Sequence, residues 1–340
     1  MSTKKNSPLL TIAIPTYNRV ECLQLLLESI LKQILEAEIS EEDIEILVCN
    51  NASTDTTMEY LRSLSNFPGL NVVNNDINCG GDANIVFCCE AAAGKYAWIM
   101  GDDDLPKNGA ISALIKFIKE NRPDMIYLPA KWVDGDLTSF SEEKIFDKSF
   151  TAVNNFKLAV ESNIFLTFIS SWVMNMDIYR SQEGGVKYNR FLGSFLSQLE
   201  WELTILNNGS NFFIANDIWL IARAGNSGNY EILDVFSINY NKIIDEKITK
   251  NKKINKFLKK SMLWSFIPLL IFGLRKNTMG KFGVFDNKKV TKMLKLEYGS
   301  NLFFILLIYN IINSQILIAK IYLKITRILS KSYIYICKLI

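Results

Sequence analysis

The chain has no histidine among its 340 residues. That absence removes imidazole from every role at once: no His general base, no Ser-His-Asp triad, no His metal ligand. Acid–base chemistry falls to Asp, Glu, Lys, Tyr or Cys, and a hard divalent ion must be held by oxygen. Cysteine is sparse, with six residues at 22, 49, 79, 88, 89 and 337 and no CxxC pair. No secretory leader precedes them, so neither a disulfide framework nor a zinc site is indicated, and reduced thiols in a cytosolic protein are expected. A GxxxxGK[ST] phosphate loop is also missing. Long apolar runs are few. Residues 262–274 make a 13-residue run, too short to span a bilayer. Residues 302–319 are interrupted by Asn310, Asn313, Ser314 and Gln315.

What is present is globular: 49% apolar and 21% charged residues, enough chain for one large domain and a smaller appendage. The net charge of +3 conceals an asymmetry. Residues 1–241 carry a net −13, whereas residues 242–340 carry +16. An acidic body with a basic, apolar tail implies two separate jobs.

Along residues 1–128 strands and helices alternate. Apolar runs at 9–15, 44–49, 70–73, 96–100 and 125–128 read as strands. Helices are expected after Asn18 as N-cap, around 56–64, through 93 and over 110–120. Short alternation of this kind predicts an α/β fold with a doubly wound, mainly parallel sheet. Ligands in such sheets lie beyond the carboxyl ends of the strands. The polar turns at 16–19, 50–55 and 101–104 all follow strands and converge on that edge. From 129 to 240 the pattern is less regular, with helices expected near 151–162 and 193–207.

The fourth strand ends in Gly101-Asp102-Asp103-Asp104. Adjacent carboxylates repel one another, so a cation is expected to hold them, Mg²⁺ or Mn²⁺ shared with the phosphates of a nucleotide diphosphate. A solvated acidic turn capping the next helix is the plainer alternative.

Four motifs in order carry a resemblance: Ile14-Pro15-Thr16-Tyr17-Asn18-Arg19, Asn50-Asn51-Ala52-Ser53-Thr54-Asp55, Asn78-Cys79-Gly80-Gly81 and Gly101-Asp102-Asp103-Asp104. Together they resemble the signatures of family 2 glycosyltransferases, inverting enzymes of the GT-A (nucleotide-diphospho-sugar transferase) fold. The nearest subgroup is similar to bacterial abequosyltransferases of O-antigen synthesis. The resemblance covers residues 8–130 well and 190–230 loosely. It implies that Pro15, Thr16 and Tyr17 line the nucleoside, with Arg19 close by. Position 50 in this family is usually an aspartate accepting from the base. Here it is Asn50, whose amide both donates and accepts, so UDP, dTDP and CDP sugars all stay open. Asp55 would face the ribose or cap its helix, and Asp82 would touch the nucleotide or simply start a helix. Asp102 would take the sugar–ribose contact alongside Asp103, and Asp104, with Asp102, the metal.

Inverting transfer needs a carboxylate to take the acceptor proton. The stretch Gln198-Leu199-Glu200-Trp201-Glu202-Leu203 resembles the family's acidic motif, placing Glu200 at the base position with Glu202 as rival. Two glutamates on a solvated helix face are the alternative. Arg223, followed by Gly225-Asn226-Ser227, is a candidate to fold over the diphosphate.

In the tail, Lys320, Lys324, Arg327, Lys331 and Lys338 lie within about 60° of one another on a helix. The remaining circumference is largely Ile, Leu and Tyr. This pattern predicts a helix lying on an anionic membrane surface, or one packed on the body or on another subunit.

The expected organisation is therefore a nucleotide-sugar-binding half (1–128), an acceptor-binding half (129–241) and a basic helical membrane-associating extension (242–340). The expected activity is transfer of a sugar from a nucleotide diphosphate to a hydroxyl of a lipid-linked oligosaccharide. The expected site of action is the inner face of the cytoplasmic membrane. A metal-dependent nucleotidyl or phosphoryl transferase and a non-catalytic membrane scaffold are the competing readings. Nucleic acid is not an expected partner, because the basic region is rich in Ile and Leu and the body is acidic.

Overall fold

The computed structural model describes residues 7–182, 190–225, 230–278 and 285–339. These fall into two compact units. The first comprises residues up to 158 together with 166–193 and 197–224, and the second comprises 159–165, 194–196 and the residues from 225 on. The second unit thus begins earlier than the change in composition at 242.

The first unit is built on β1 (Leu10–Thr16), α1 (Val20–Glu36), β2 (Ile44–Asn50), α2 (Thr57–Ser63), β3 (Leu70–Asn74), α3 (Gly81–Ala91) and β4 (Tyr96–Ile99). Next come β5 (Leu105–Pro106), α4 (Ala110–Asn121), β6 (Met125–Tyr127), β7 (Ala130–Val133) and β8 (Phe150–Val153). Then β9 (Trp172–Asn175), β10 (Phe212–Ala215) and β11 (Leu220–Arg223) follow, with a helix Leu199–Asn208 before β10. The larger sheet has the order β3-β2-β1-β4-β9-β6-β10-β8. Strands β1 and β2, β1 and β4, β2 and β3, and β6 and β10 pair in parallel. A small sheet, β5-β11-β7, lies beside Asp104 in the chain.

β1, β2 and β4 form where the reading placed them because they are largely apolar and covered on both faces, as a parallel sheet requires. β2 is buried along its whole length. On α1, Leu23, Leu26, Leu27, Ile30 and Leu31 turn inward at helical spacing.

Two expectations are corrected. A strand the reading did not foresee, β9, enters the mainly parallel sheet antiparallel between β4 and β6. And Asn18 is not the cap of α1. It takes φ +50°, a left-handed conformation Asn tolerates better than most residues, and Arg19 occupies the cap position. The Asn18 side-chain Oδ1 instead accepts from the Thr54 N–H at 2.7 Å, and the Asn18 backbone N–H donates to Ser53 Oγ. It fastens the first polar turn to the second.

The second unit is helical. One helix, Lys252–Arg275, contains the predicted 13-residue run and is long and apolar enough to cross a membrane by length and composition. More than half of its apolar window is buried inside the unit, as in a core helix. Around its core lie the helices Asn287–Tyr298, Phe304–Asn313 and Ile316–Leu339.

Candidate active site

Strand pairing brings the first and third polar turns, 16–19 and 101–104, together. Register Leu10↔Tyr96 through Ala13↔Ile99 continues in the Met100 N–H donating to the Ala13 carbonyl, so Thr16 ends beside the carboxylates. Thr16 Oγ1 donates to Asp102 Oδ2 at 2.8 Å. Arg19 Nη1 donates to Asp102 Oδ1 at 3.0 Å and to Asp103 Oδ2 at 3.2 Å. Asp104 points the other way. Its Oδ2 accepts from Ser170 Oγ at 2.6 Å and its Oδ1 from the Arg223 N–H at 3.2 Å.

The trio is therefore divided. Asp102 and Asp103 share one guanidinium, and Asp104 is held by a serine that sequence reasoning missed. Ser170 Oγ accepts in turn from the Gly101 N–H, and its carbonyl accepts from Trp98 Nε1. Nothing local marks Ser170 in the sequence, because its partners are 66–72 residues away.

Gly101 is required by closeness. A Cβ there would lie 3.1 Å from Asp104 Oδ2, 3.2 Å from Asp103 Oδ1 and 3.5 Å from Ser170 Oγ. Three side-chain oxygens gather over this bare α-carbon, and a methyl there would press them aside by a few tenths of an ångström. Asp102 and Asp104 are both 4% exposed. Burial raises the Asp102 carboxyl to about 6, although the Arg19 charge pulls it down. Burial raises the Asp104 carboxyl to about 8, with Asp103 reinforcing the shift. A carboxyl set this high is one that a bound cation would return to its charged form.

Oxygen-only donors at the mouth of the strands fit Mg²⁺ or Mn²⁺, which take one or two carboxylates and complete their shell with phosphate and water. The reading paired Asp102 with Asp104 as ligands. In the fold each oxygen of Asp102 and of Asp104 already accepts one hydrogen bond, from Thr16 and Arg19 and from Ser170 and Arg223 respectively, and it is Asp103 Oδ1 and Asp104 Oδ2 that lie nearest the open side of Gly101. Among the described residues no group of three or more His, Cys, Asp or Glu side chains is arranged as a complete metal cage.

At the second turn, Asn50 is 2% exposed. Its Oδ1 accepts from the Ser53 N–H at 3.2 Å and its Nδ2 donates to Asn74 Oδ1 at 3.1 Å. One donor and one lone pair remain. Around it runs a network the reading did not see. Asn51 Oδ1 accepts from Asn75 Nδ2 and the Cys79 N–H, and Asn84 Nδ2 donates to the Cys49 carbonyl. Paired asparagines at the ends of two strands, 50–51 and 74–75, were the available signal. Gly80, at φ +89°, turns the chain into α3.

Other candidates are placed elsewhere. Asp55 caps. Its Oδ2 accepts from the Val20 N–H and its Oδ1 from the Thr57 N–H at 3.0 Å. Burial works to raise its carboxyl, but the hydrogen bonds from Thr57 and Val20 outweigh it and hold the group low. Asp82 is 9% exposed and fastens the approach to the helix Leu199–Asn208. It accepts from the Gly193 N–H at 2.8 Å and from Ser197 Oγ. Pro15 precedes Thr16 in β1, and Tyr17 is exposed at the strand end. Arg223 Nη1 donates to the Gly135 carbonyl at 3.3 Å, and its buried Nε has no protein partner. The loop after Gly225, residues 226–229, lies outside the described residues.

Glu200 and Glu202 are not on a solvated face, contrary to the plainer reading. They are 1% and 0% exposed, on a helix buried from Leu199 to Leu206. Two residues apart, they point about 200° from each other. Glu202 lies beside Cys89 of α3, and neither of its oxygens has a hydrogen-bond partner. Burial raises it well above the usual range, so it is held neutral. Glu200 starts the helix next to Gln198, whose Nε2 donates to the Thr167 carbonyl, on the segment that carries Ser170.

Residues 11–178 match the family model described as Glycosyl transferase family 2. The abequosyltransferase RfbV of Salmonella typhimurium is 36% identical over 132 residues, 38% of each chain. The GalNAc(5)-diNAcBac-PP-undecaprenol beta-1,3-glucosyltransferase of Campylobacter jejuni is 29% identical over 115 residues, 33% of this chain and 35% of that one. The chain thus aligns with little more than a third of the length of either relative. The structure of S. aureus TarS 1-349 in complex with UDP-GlcNAc matches with a TM-score of 0.63 at 15% identity, over 96% of this chain and 91% of that one. The likeness is one of fold, GT-A.

Proposed function

We propose that this chain, whose residues 11–178 match the Glycosyl transferase family 2 model, moves a sugar from a nucleotide diphosphate to a hydroxyl of a lipid-linked oligosaccharide during surface-polysaccharide synthesis. The observation that carries the reading is the meeting of Thr16, Arg19, Asp102, Asp103 and Asp104 at the carboxyl edge of β1 and β4. The names of the relatives, one an abequosyltransferase and one acting on a PP-undecaprenol oligosaccharide, support the acceptor class.

The nucleoside lies over the first two turns, with Asn50 offering its base one donor and one acceptor. Asp103 and Asp104 would hold a divalent ion over Gly101. That ion, when bound, neutralises charge on the departing diphosphate. Arg19 binds Asp102 and Asp103 and places its guanidinium at the same edge, where phosphate is recognised well. Asp102, fixed by Thr16, is positioned to accept from a donor hydroxyl. Glu200 takes the acceptor proton as its oxygen attacks, while neutral Glu202 on the far side of the helix cannot accept one.

A transfer or donor-hydrolysis assay across UDP, dTDP and CDP sugars with Mn²⁺ tests this. Turnover with a nucleotide sugar that falls at least a hundredfold in Glu200→Gln supports the reading. Turnover with nucleoside triphosphates only would favour a nucleotidyl or phosphoryl transferase instead.

A further inference from the structure

In the second unit the helix Ile316–Leu339 shows three distinct faces. Ala319, Leu323, Thr326, Ser330 and Cys337 are buried and define the side packed on the unit. About 100° around the axis runs the exposed basic stripe of Lys320, Lys324, Arg327 and Lys331. Beyond it, on the side opposite the packed one, Leu317, Ile321, Ile325, Ile328, Ile336 and Leu339 stand in solvent, with Leu317 at 75% and Ile328 at 65% exposure.

The position of the apolar face is what matters. A helix that merely closes a core turns its branched aliphatics inward, whereas this one buries one leucine among Ala319, Thr326, Ser330 and Cys337 and leaves Ile321, Ile325, Ile328 and Ile336 exposed. The neighbouring helix Phe304–Asn313, which packs on the same helix, exposes apolar side chains as well. There Ile305 and Leu306 are exposed, with Leu302 just before them. Exposed aliphatics recurring along two packed helices mark an interaction surface. No acidic residue follows Glu297 in the sequence, so nothing on these two helices offsets the lysines.

We infer that this face is a docking surface for an anionic lipid bilayer, the aliphatic side chains entering the headgroup–acyl boundary and the lysine stripe reaching the phosphates beside it. Charge complementarity selects this occupant. An apolar face of about 120° flanked by a one-sided basic stripe matches an interfacial helix, whereas a second copy of the chain would bring an identical lysine stripe against this one. The inference stands on the second unit alone and does not require that the first unit bind a nucleotide sugar.

Co-sedimentation of the full chain with vesicles of pure phosphatidylcholine, and with vesicles containing about one-third phosphatidylglycerol, tests it without any donor. Binding to the anionic vesicles only, weakened at high salt, is expected. Lys320→Gln, Lys324→Gln and Arg327→Gln together should lower it on the order of a hundredfold. Ile321→Asp with Ile328→Asp should abolish it. Both variants alter exposed positions, and circular dichroism and nucleotide binding should stay as in the wild type. Three outcomes overturn the inference: no binding, equal binding to both vesicle types, or a dimer by light scattering that Ile328→Asp dissolves while vesicle binding is absent.

Discussion

Asp104→Asn separates the cost of the carboxylate cradle from its use. The side chain is buried, and its carboxyl titrates at about 8 instead of the ordinary 3.8. Below pH 4 it is protonated in both the folded and unfolded chain and has no effect. As pH rises from 4 the unfolded chain ionises first, so folding stability falls until the folded group also ionises near 8, and then levels off. At about 1.36 kcal/mol per unit, the first unit should lose about 3 kcal/mol between pH 5.5 and 8 from this residue. Asp102, raised to about 6, adds a smaller loss of the same sign. The amide variant does not ionise, so its advantage over wild type should grow by that amount across the range. Urea unfolding in the presence of a chelator, followed by the fluorescence of buried Trp98, Trp172, Trp201 and Trp219, measures it. The same variant should lose turnover by about a thousandfold. Parallel stability curves, or a variant weaker than wild type at every pH, would refute the reasoning. Either would mean that the hydrogen bonds from Ser170 and Arg223 outweigh burial.

Three further outcomes are expected. Glu202→Gln should change turnover less than about threefold, because a neutral buried acid transfers no proton, while Glu200→Gln should cost a hundredfold or more; steady-state rates of the pair decide between them. Asn50→Asp leaves only acceptors at the base edge, so competition binding should move preference about tenfold toward uracil or thymine nucleotides, which present a ring N–H, and away from cytosine. Gly101→Ala puts a methyl about 3 Å from two carboxylate oxygens and should weaken Mn²⁺ binding at least tenfold, read by calorimetry, with the helical content unchanged.

How far the sequence reaches is visible in particular residues. β1, β2 and β4 were legible because strands covered on both faces are continuous apolar runs, and the turns after them are polar by necessity. β9 was not. Four residues between short helical turns have no periodicity of their own, and pairing between β4 and β6 is decided by non-local contacts. The carboxylates were found in place, yet their division was hidden. It depends on Arg19, which is near in motif order, and on Ser170, which is far away in the chain. Asp82 could be recognised as a helix-start residue, but its grip on Gly193 and Ser197 joins positions 111 and 115 residues apart. The glutamates were singled out as candidate bases with a solvated helix face as the alternative, and nothing local in the sequence chooses between the two. The helix carrying them is buried all round, and only tertiary packing decides that.

Calorimetric titration of nucleoside diphosphates and their sugars into the chain, with and without Mn²⁺, tests the central claim most directly. The account predicts that at least one pyrimidine nucleotide binds, that Mn²⁺ tightens it at least tenfold, that the gain grows from pH 6 to 8 as Asp104 gives up its proton, and that Asp104→Asn removes the gain. Absence of binding throughout the panel, or tight binding indifferent both to Mn²⁺ and to Asp104, would contradict it.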